Sequence, residues 1–422
     1  MKYSVEWIEE ADNAAPEERA TVGKLRLWLD AQNVTAHLLD DVPQEHVSIA
    51  LYGIAHGLTH DWWALFGGRD RDVSLMRFRS GFIVPDIRLR FDGEAFEISA
   101  RQRQYPDRGV RFWAGPSELL SRQDAEAKLT ELIESILVRL DAHGLGETSA
   151  ALRWDRVKAS RVNGEAAFCE AAGALGLDPY EIDESSAAII EEAEELFGGE
   201  ALTEFIAGAR GVAQERLLHW VTQTEKRPSQ ASHLPDLKGV AEQAQRMAPP
   251  SHFKEAWALG YRRARAMRRA LGLGQEHRFR SHIDLVSRFG AGPRYKAAER
   301  IDGIRALRAD RADGTHIHLR SHGTSGEAKA AQLFTLARAV GDAACFPETR
   351  FAPVNDLRSA YRQAAGRAFA AEFLAPIDEI HSMVQARRDI VSIADEFSLS
   401  TAVIEHQIEN APRIAEACAL AG

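Results

Sequence analysis

Apolar residues recur along the chain with two different periods, and the switches between them divide it into four stretches. Within residues 1–146, Glu17–Ala31 and Ser48–Phe66 carry helical spacing, the second closed by Gly67 and Gly68, and Arg122–His143 is strongly periodic. Between them Val73–Arg103 alternates in the manner of strands, broken by Pro85 and by Asp92-Gly93, which predicts a hairpin turn. Gly109–Trp113 predicts a further strand. Residues 147–226 read as helix throughout, and Glu165–Leu177, with Gly173 and Gly176, is helix-turn-helix-like. Residues 227–251 set Pro228, Pro235, Pro249 and Pro250 among polar residues and predict a linker. Helical periods then return in residues 252–422 around one short alternating strand, so the expected fold class is α+β, mainly helical.

Composition narrows the class. The 422 residues are 45% hydrophobic and 27% charged, values of a soluble globular chain, which excludes collagen-like, coiled-coil and wholly disordered architectures. A net charge of −10 argues against a protein that coats nucleic acid non-specifically. The acids concentrate in Asp178–Glu204, which has ten of them and no Lys or Arg, a poor surface for a phosphate backbone. The opposite holds for His252–His282, with eight Lys or Arg against two Glu. There Arg262, Arg263, Arg265, Arg268 and Arg269 share one helix whose other side shows Trp257, Leu259, Met267 and Leu271. That helix reads as a solvated basic face, or as a docking face for an acidic partner: nucleic acid, or acidic helices. Cys169, Cys345 and Cys418 are scattered and odd in number, so a disulfide framework is not expected and a reducing cytoplasm fits. No apolar run of membrane-spanning length occurs, and the first residues have no signal-peptide pattern.

Residues 315–346 read THIHLRSHGTSGEAKAAQLFTLARAVGDAACF, a short strand leading through a polar turn into an apolar helix. QAAGRAFAAEFLAP follows at 363–376, and DIVSIADEFSLSTAVIEHQIEN at 389–410. In this order of motifs, residues 250–410 resemble the ImmA/IrrE family of zinc metallopeptidases. The resemblance implies a zincin-like core with a helix-turn-helix-like tail over residues 252–422, and says nothing of residues 1–146. In that family an HExxH helix supplies two zinc ligands and a general base, and a Glu of the next helix the third ligand. Here Arg338 stands at the first His, Ala339 at the base, Asp342 at the second His, and Gln363 or Ala365 at the third ligand. An arginine cannot ligate a cation, and catalytic zinc takes three protein ligands. The resemblance therefore implies the fold and contradicts the activity: no catalytic residue, no metal and no cofactor are expected. Arg338 and Asp342, four apart, are expected to pair with each other or to share a polar network where the metal would sit.

Other chemistry is thinner. His316 and His318 lie on one face of a strand, with His322 in the following turn, and with Asp342 they form an alternative zinc set. His56 and His60 have metal-ligand spacing on a helix, but Gly57 stands where the Glu would be, and Trp62 and Trp63 point to packing. No phosphate-loop, dinucleotide or nucleophile-elbow motif occurs in context. The tail resembles a helix-turn-helix whose second helix offers His406, Gln407 and Asn410 beside two Glu and no Arg. The functional expectation is a cytoplasmic, non-catalytic regulatory or interaction protein that keeps the partner recognition of its family, directed at a repressor-like protein in a phage, mobile-element or stress-defence circuit. The alternatives are an atypical metallopeptidase using His316, His318 and Asp342, and a DNA-binding regulator using 252–282 and the tail.

Overall fold

The computed structural model describes residues 1–8, 15–69, 71–249, 255–292 and 299–419, without the side chains of Ser229 and of residues 411–419. Pro250 and Ser251 of the expected linker, and residues 252–254 of the basic stretch, lie outside the described residues. The protein is α+β, with sixteen α-helices and four four-stranded antiparallel sheets among the described residues. No described helix is long and apolar enough to cross a membrane. Contacts gather the chain into two units, Met1–Ile190 and Glu191–Gly422. The division differs from the expected four stretches. The boundary falls inside the Glu184–Leu196 helix, and the helical stretch 147–226 is shared between the two units.

In the first unit, residues of three of the sheets share one hydrophobic core with the Tyr52–Gly67 helix. Asp86–Phe91 and Ala95–Arg101 form the hairpin that Asp92-Gly93 predicts, with Gly93 at φ 104° and Phe91 opposite Phe96. Two expected helices are shorter than their patterns. Only Pro16–Ala20 is helical in the first, because VGKLRLWL at Val22–Leu29 alternates inward and outward and pairs with three other strands. Val47–Ala50 is likewise a strand ahead of the second. The Arg122–Ala142 helix forms as expected, capped by Ser121. Ser149–Val162 and Ala166–Leu175 then pack on the Tyr52–Gly67 helix, with Trp154 edge-on to Trp62 at 4.9 Å. The small residues of Ala166–Leu175 serve this packing rather than a helix-turn-helix. A Cβ on Gly173 would stand 2.4 Å from the Trp63 carbonyl carbon, and one on Gly67 would stand 2.1 Å from the Glu170 oxygen.

The second unit is built on one antiparallel sheet in the order Ser232–Leu234, Gly314–Leu319, Ala306–Arg311, Phe351–Val354. Residues 227–251 are therefore no linker. Ser232–Leu234 is an edge strand, and Leu237–Met247 is a helix with Leu237, Ala241 and Ala244 in the core. Composition misleads here because a three-residue strand is defined by the neighbour it pairs with, not by its own period.

Alternation assigns the two faces of this sheet. Leu234, Ala306, Ile317, Leu319 and Val354 turn to the Gly326–Cys345 helix and share its core with Leu336, Val340, Phe369, Phe373 and Leu374; Phe334 packs against that core half-buried. His233, Ala309, His316 and Phe351, level with one another across the ladder, occupy the opposite face. Phe351 there meets Phe197 at 4.8 Å. The helices Ala256–Ala270 and Tyr361–Leu374 stack so closely that a Cβ on Gly260 would stand 2.4 Å from the Ala365 oxygen. The tail forms Ile377–Gln385, Ile390–Phe397 and Thr401–Ala419, with the turn made by Ser398 in the left-handed region.

Candidate functional site

The Gly326–Cys345 helix is started by the Ser325 hydroxyl, which accepts from the Ala328 N–H, and is buried over its second half. That burial carries Arg338, Ala339 and Asp342 inside the unit. The Tyr361–Leu374 helix faces it and brings Arg362, Gln363 and Ala365 to the same region, all of them buried. Ala339 and Ala365 are fully enclosed and offer only methyl groups.

The charged residues form two groups rather than one. Arg338 donates to the Asn355 carbonyl and, at 3.0 Å, to the Gln363 Oε1. The Gln363 amide donates in turn to Glu204 Oε2 at 2.7 Å and to the Pro353 carbonyl at 2.9 Å. Burial, with Arg367 nearby, pushes the Arg338 guanidinium down to about 9, so it remains charged at neutral pH. Asp342 belongs to the second group. Arg362 grips it with Nε at 2.5 Å and Nη2 at 2.8 Å, a bidentate fork. Arg308, wholly buried, brings its Nε to 2.9 Å from the same carboxylate, a charge contact rather than an aligned hydrogen bond. Burial alone would lower the Arg362 value, but the charge and hydrogen bonds of Asp342 hold it above the ordinary one. The expected Arg338–Asp342 pairing is thus corrected. No hydrogen bond or ion pair joins them among the described residues, because each finds a better-aligned partner on a neighbouring element. In chemical terms the region holds buried guanidinium groups, the Asp342 and Glu204 carboxylates and the Gln363 amide, and His322 reaches the same helix at Thr335, 3.4 Å from its hydroxyl.

The alternative zinc set does not converge. Arg308 stands opposite Ile317 and touches Asp342, so Asp342 lies over one face of the sheet. His316 and His318 alternate with Ile317 and lie on the other. Burial, with His316 and Arg311 nearby, pushes His318 down to about 4, a neutral imidazole at pH 7. Sequence spacing missed a different grouping. His233 and Asp313 join His316, with one ligand atom from each, all within 4.8 Å of one another. The signal lies in strand register, since His233 pairs with His316 across the ladder. In the first unit His56 and His60 stack at 4.1 Å, His60 Nδ1 lies 2.9 Å from the His56 carbonyl, and Trp62 and Trp63 are core residues.

The basic helix does not present five arginines to solvent. Arg262 and Arg269 are exposed, but Arg263 and Arg268 are buried and Arg265 is half-buried. Arg268 donates to the carbonyls of Phe373 and Gly274, and burial pushes it down to about 10. Arg265 donates to Glu372 at 2.7 Å. A guanidinium can enter a core when its fork meets carbonyls or a carboxylate, and helical periodicity does not encode those partners. The tail is corrected in the same sense. Gln407 is buried and donates to the Ala375 carbonyl at 2.8 Å, which leaves His406 and two Glu as the exposed neighbours on that helix. Cys169 and Cys345 are free, buried thiols, with Cys345 pushed up to about 12 by burial.

In comparisons with known proteins, no family model, no curated protein and no solved structure matches this chain.

Proposed function

We propose that the chain is a non-catalytic regulatory protein whose second unit is a degenerate, zincin-like core of the ImmA/IrrE type. The observation that carries this reading is the Arg308–Asp342–Arg362 cluster, a buried ionic cross-link between sheet and helices centred on Asp342, which stands at the second ligand position of the resembled family. The order strand, capped apolar helix, second buried helix and helical tail supports it as well. An arginine in the first ligand position repels a cation, and a methyl group in the base position cannot activate water. Such a core retains a folded surface for a protein partner and lacks the means to cut it. The partner is a repressor-like, helix-turn-helix protein, and the setting a cytoplasmic phage, mobile-element or stress-defence circuit. A DNA-reading role fits less well, because the arginines it would use are largely engaged inside the unit.

The test is co-purification of the tag-free full chain with the repressor-like proteins encoded beside its gene, followed by intact-mass analysis. A complex with a full-length partner is expected. A partner cleaved in a chelator-sensitive way would overturn the non-catalytic reading, and the absence of any complex would overturn the partner reading.

A further inference from the structure

We infer that His233, Asp313 and His316 form a site for a divalent transition-metal ion of the zinc type, on the opposite sheet face from the arginine cluster and independent of the function proposed above. The ladder builds the site. Ser232–Leu234 pairs with Gly314–Leu319 so that His233 and His316 stand side by side, their rings stacked at 4.6 Å and inclined by only 19°. Both Nε2 atoms turn toward the Asp313 residue in the tight connection between Ala306–Arg311 and Gly314–Leu319. His316 Nε2 lies 3.0 Å from Asp313 Oδ1, and His233 Nε2 lies 3.8 Å from Oδ2 and 2.8 Å from the Asp313 carbonyl oxygen. Tetrahedral ligands about 2.0–2.1 Å from zinc stand roughly 3.3 Å apart, so the separations from the carboxylate bracket the required edge.

The remaining adjustment falls on mobile groups. The side chains of His233 and Asp313 are 43% and 62% exposed, so both can change rotamer, while the His316 side chain, 5% exposed, is held in place. Gly314 makes room for the approach. It sits at φ 134°, and a Cβ there would stand 3.1 Å from His233 Nε2 and 2.7 Å from the Pro235 Cα. Two imidazoles and one carboxylate favour zinc, nickel, cobalt or copper over magnesium or calcium, which prefer all-oxygen shells. The nearest basic residue of the hairpin, Arg311, is already paired with Glu225 at 3.0 Å.

Three protein ligands leave one position for water, and His316 Nδ1 is buried without a hydrogen-bond partner, so no outer group orients this ligand or raises its basicity. Binding is therefore exchangeable rather than permanent. Its physical consequence is a clip. The ion would tie the edge strand before the Leu237–Met247 helix to a hairpin 80 residues further along the chain. Because an unfolded chain does not bring these groups together, occupancy stabilises the folded second unit by linkage.

The experiment is calorimetric titration of the tag-free full chain with zinc chloride, with melting curves at zero and saturating zinc. His233→Ala and Asp313→Asn, both at exposed positions, are compared with the parent chain. One zinc per chain is expected, with a rise in melting temperature that magnesium does not reproduce, and each variant should weaken binding at least about tenfold. No binding by the parent chain, or binding by both variants with parental affinity and stoichiometry, would overturn the site.

Discussion

Replacing Asp342 by Ala removes the carboxylate that Arg362 grips with both arms of its fork and that Arg308 approaches at 2.9 Å. Both guanidinium groups would stay enclosed, their side chains 6% and 0% exposed. Breaking a buried pair from one side costs about 3–5 kcal/mol, because the stranded charge cannot return to water. Arg308 keeps Asp310 at 3.2 Å and the Phe346 carbonyl at 3.1 Å, so the stranded charge is that of Arg362, and Asp342→Ala is expected to cost about 3–5 kcal/mol. Arg338→Met is different in kind. It removes a charge held by the Asn355 carbonyl and the Gln363 amide oxygen, and the latter keeps the Asn355 N–H at 3.0 Å. Loss of hydrogen bonds to a charged group, offset by relief of its desolvation, is expected to cost about 1–3 kcal/mol. Urea unfolding of the full chain measures these values through the midpoint of the transition that the substitutions move. Two double-mutant cycles then decide the wiring. Asp342→Ala with Arg362→Met should show coupling above ~1 kcal/mol, and Asp342→Ala with Arg338→Met less than ~0.5 kcal/mol. Equal coupling in the two cycles would refute the two-group description and restore the direct Arg338–Asp342 link that their spacing suggests.

Phe369, fully enclosed against Gly341 and stacked on Phe373 at 5.2 Å, should cost about 3–5 kcal/mol when cut to Ala; an unchanged melting curve would remove it from the core. Gly173→Val places a side chain against the Trp63 backbone and should destabilise the first unit by about 1–3 kcal/mol, read as a lower melting temperature; a neutral outcome would mean that the two helices lie further apart. Asp178 is an acid-stability element. Burial would raise its carboxyl, but Arg153 at 2.7 Å and the Tyr180 N–H outweigh burial and hold it below the ordinary 3.8. A depressed acid contributes stability above its unfolded value and loses it as pH falls through the folded one. Asp178→Asn should therefore lower the melting temperature at pH 7 and narrow the gap between pH 7 and pH 3, and an unaltered gap would exclude the pair as a contributor.

The long periodic helices were readable from the chain. Arg122–Ala142 and Gly326–Cys345 announce themselves by apolar spacing, and the Asp92-Gly93 turn by its dipeptide, because these signals are local. What failed was non-local. Val22–Leu29 carries Lys24 and Arg26 on its half-buried side, a pattern that becomes a strand only beside Lys2–Trp7 and Val47–Ala50. The basic helix seemed to offer a solvated stripe because its carbonyl and carboxylate partners, Phe373 and Glu372, lie over a hundred residues away. Positions 338, 342 and 363 are polar and buried, but the groups they meet, Asn355, Glu204, Arg308 and Arg362, are not marked by any local pattern. His233 and Asp313 could not be joined from spacing at all, since only strand register places them beside His316.

Under the proposed function, the Arg362–Asp342 ion pair between the Gly326–Cys345 and Tyr361–Leu374 helices stands in for a metal. Diffraction from zinc-soaked crystals of the full chain, with anomalous differences recorded at the zinc edge, tests this most directly. The account predicts no peak within coordination distance of Asp342 or Gln363, with the Arg362 fork closed on the Asp342 carboxylate. A zinc peak bonded to Asp342 or Gln363, with Arg338 or Arg362 swung aside, would contradict it.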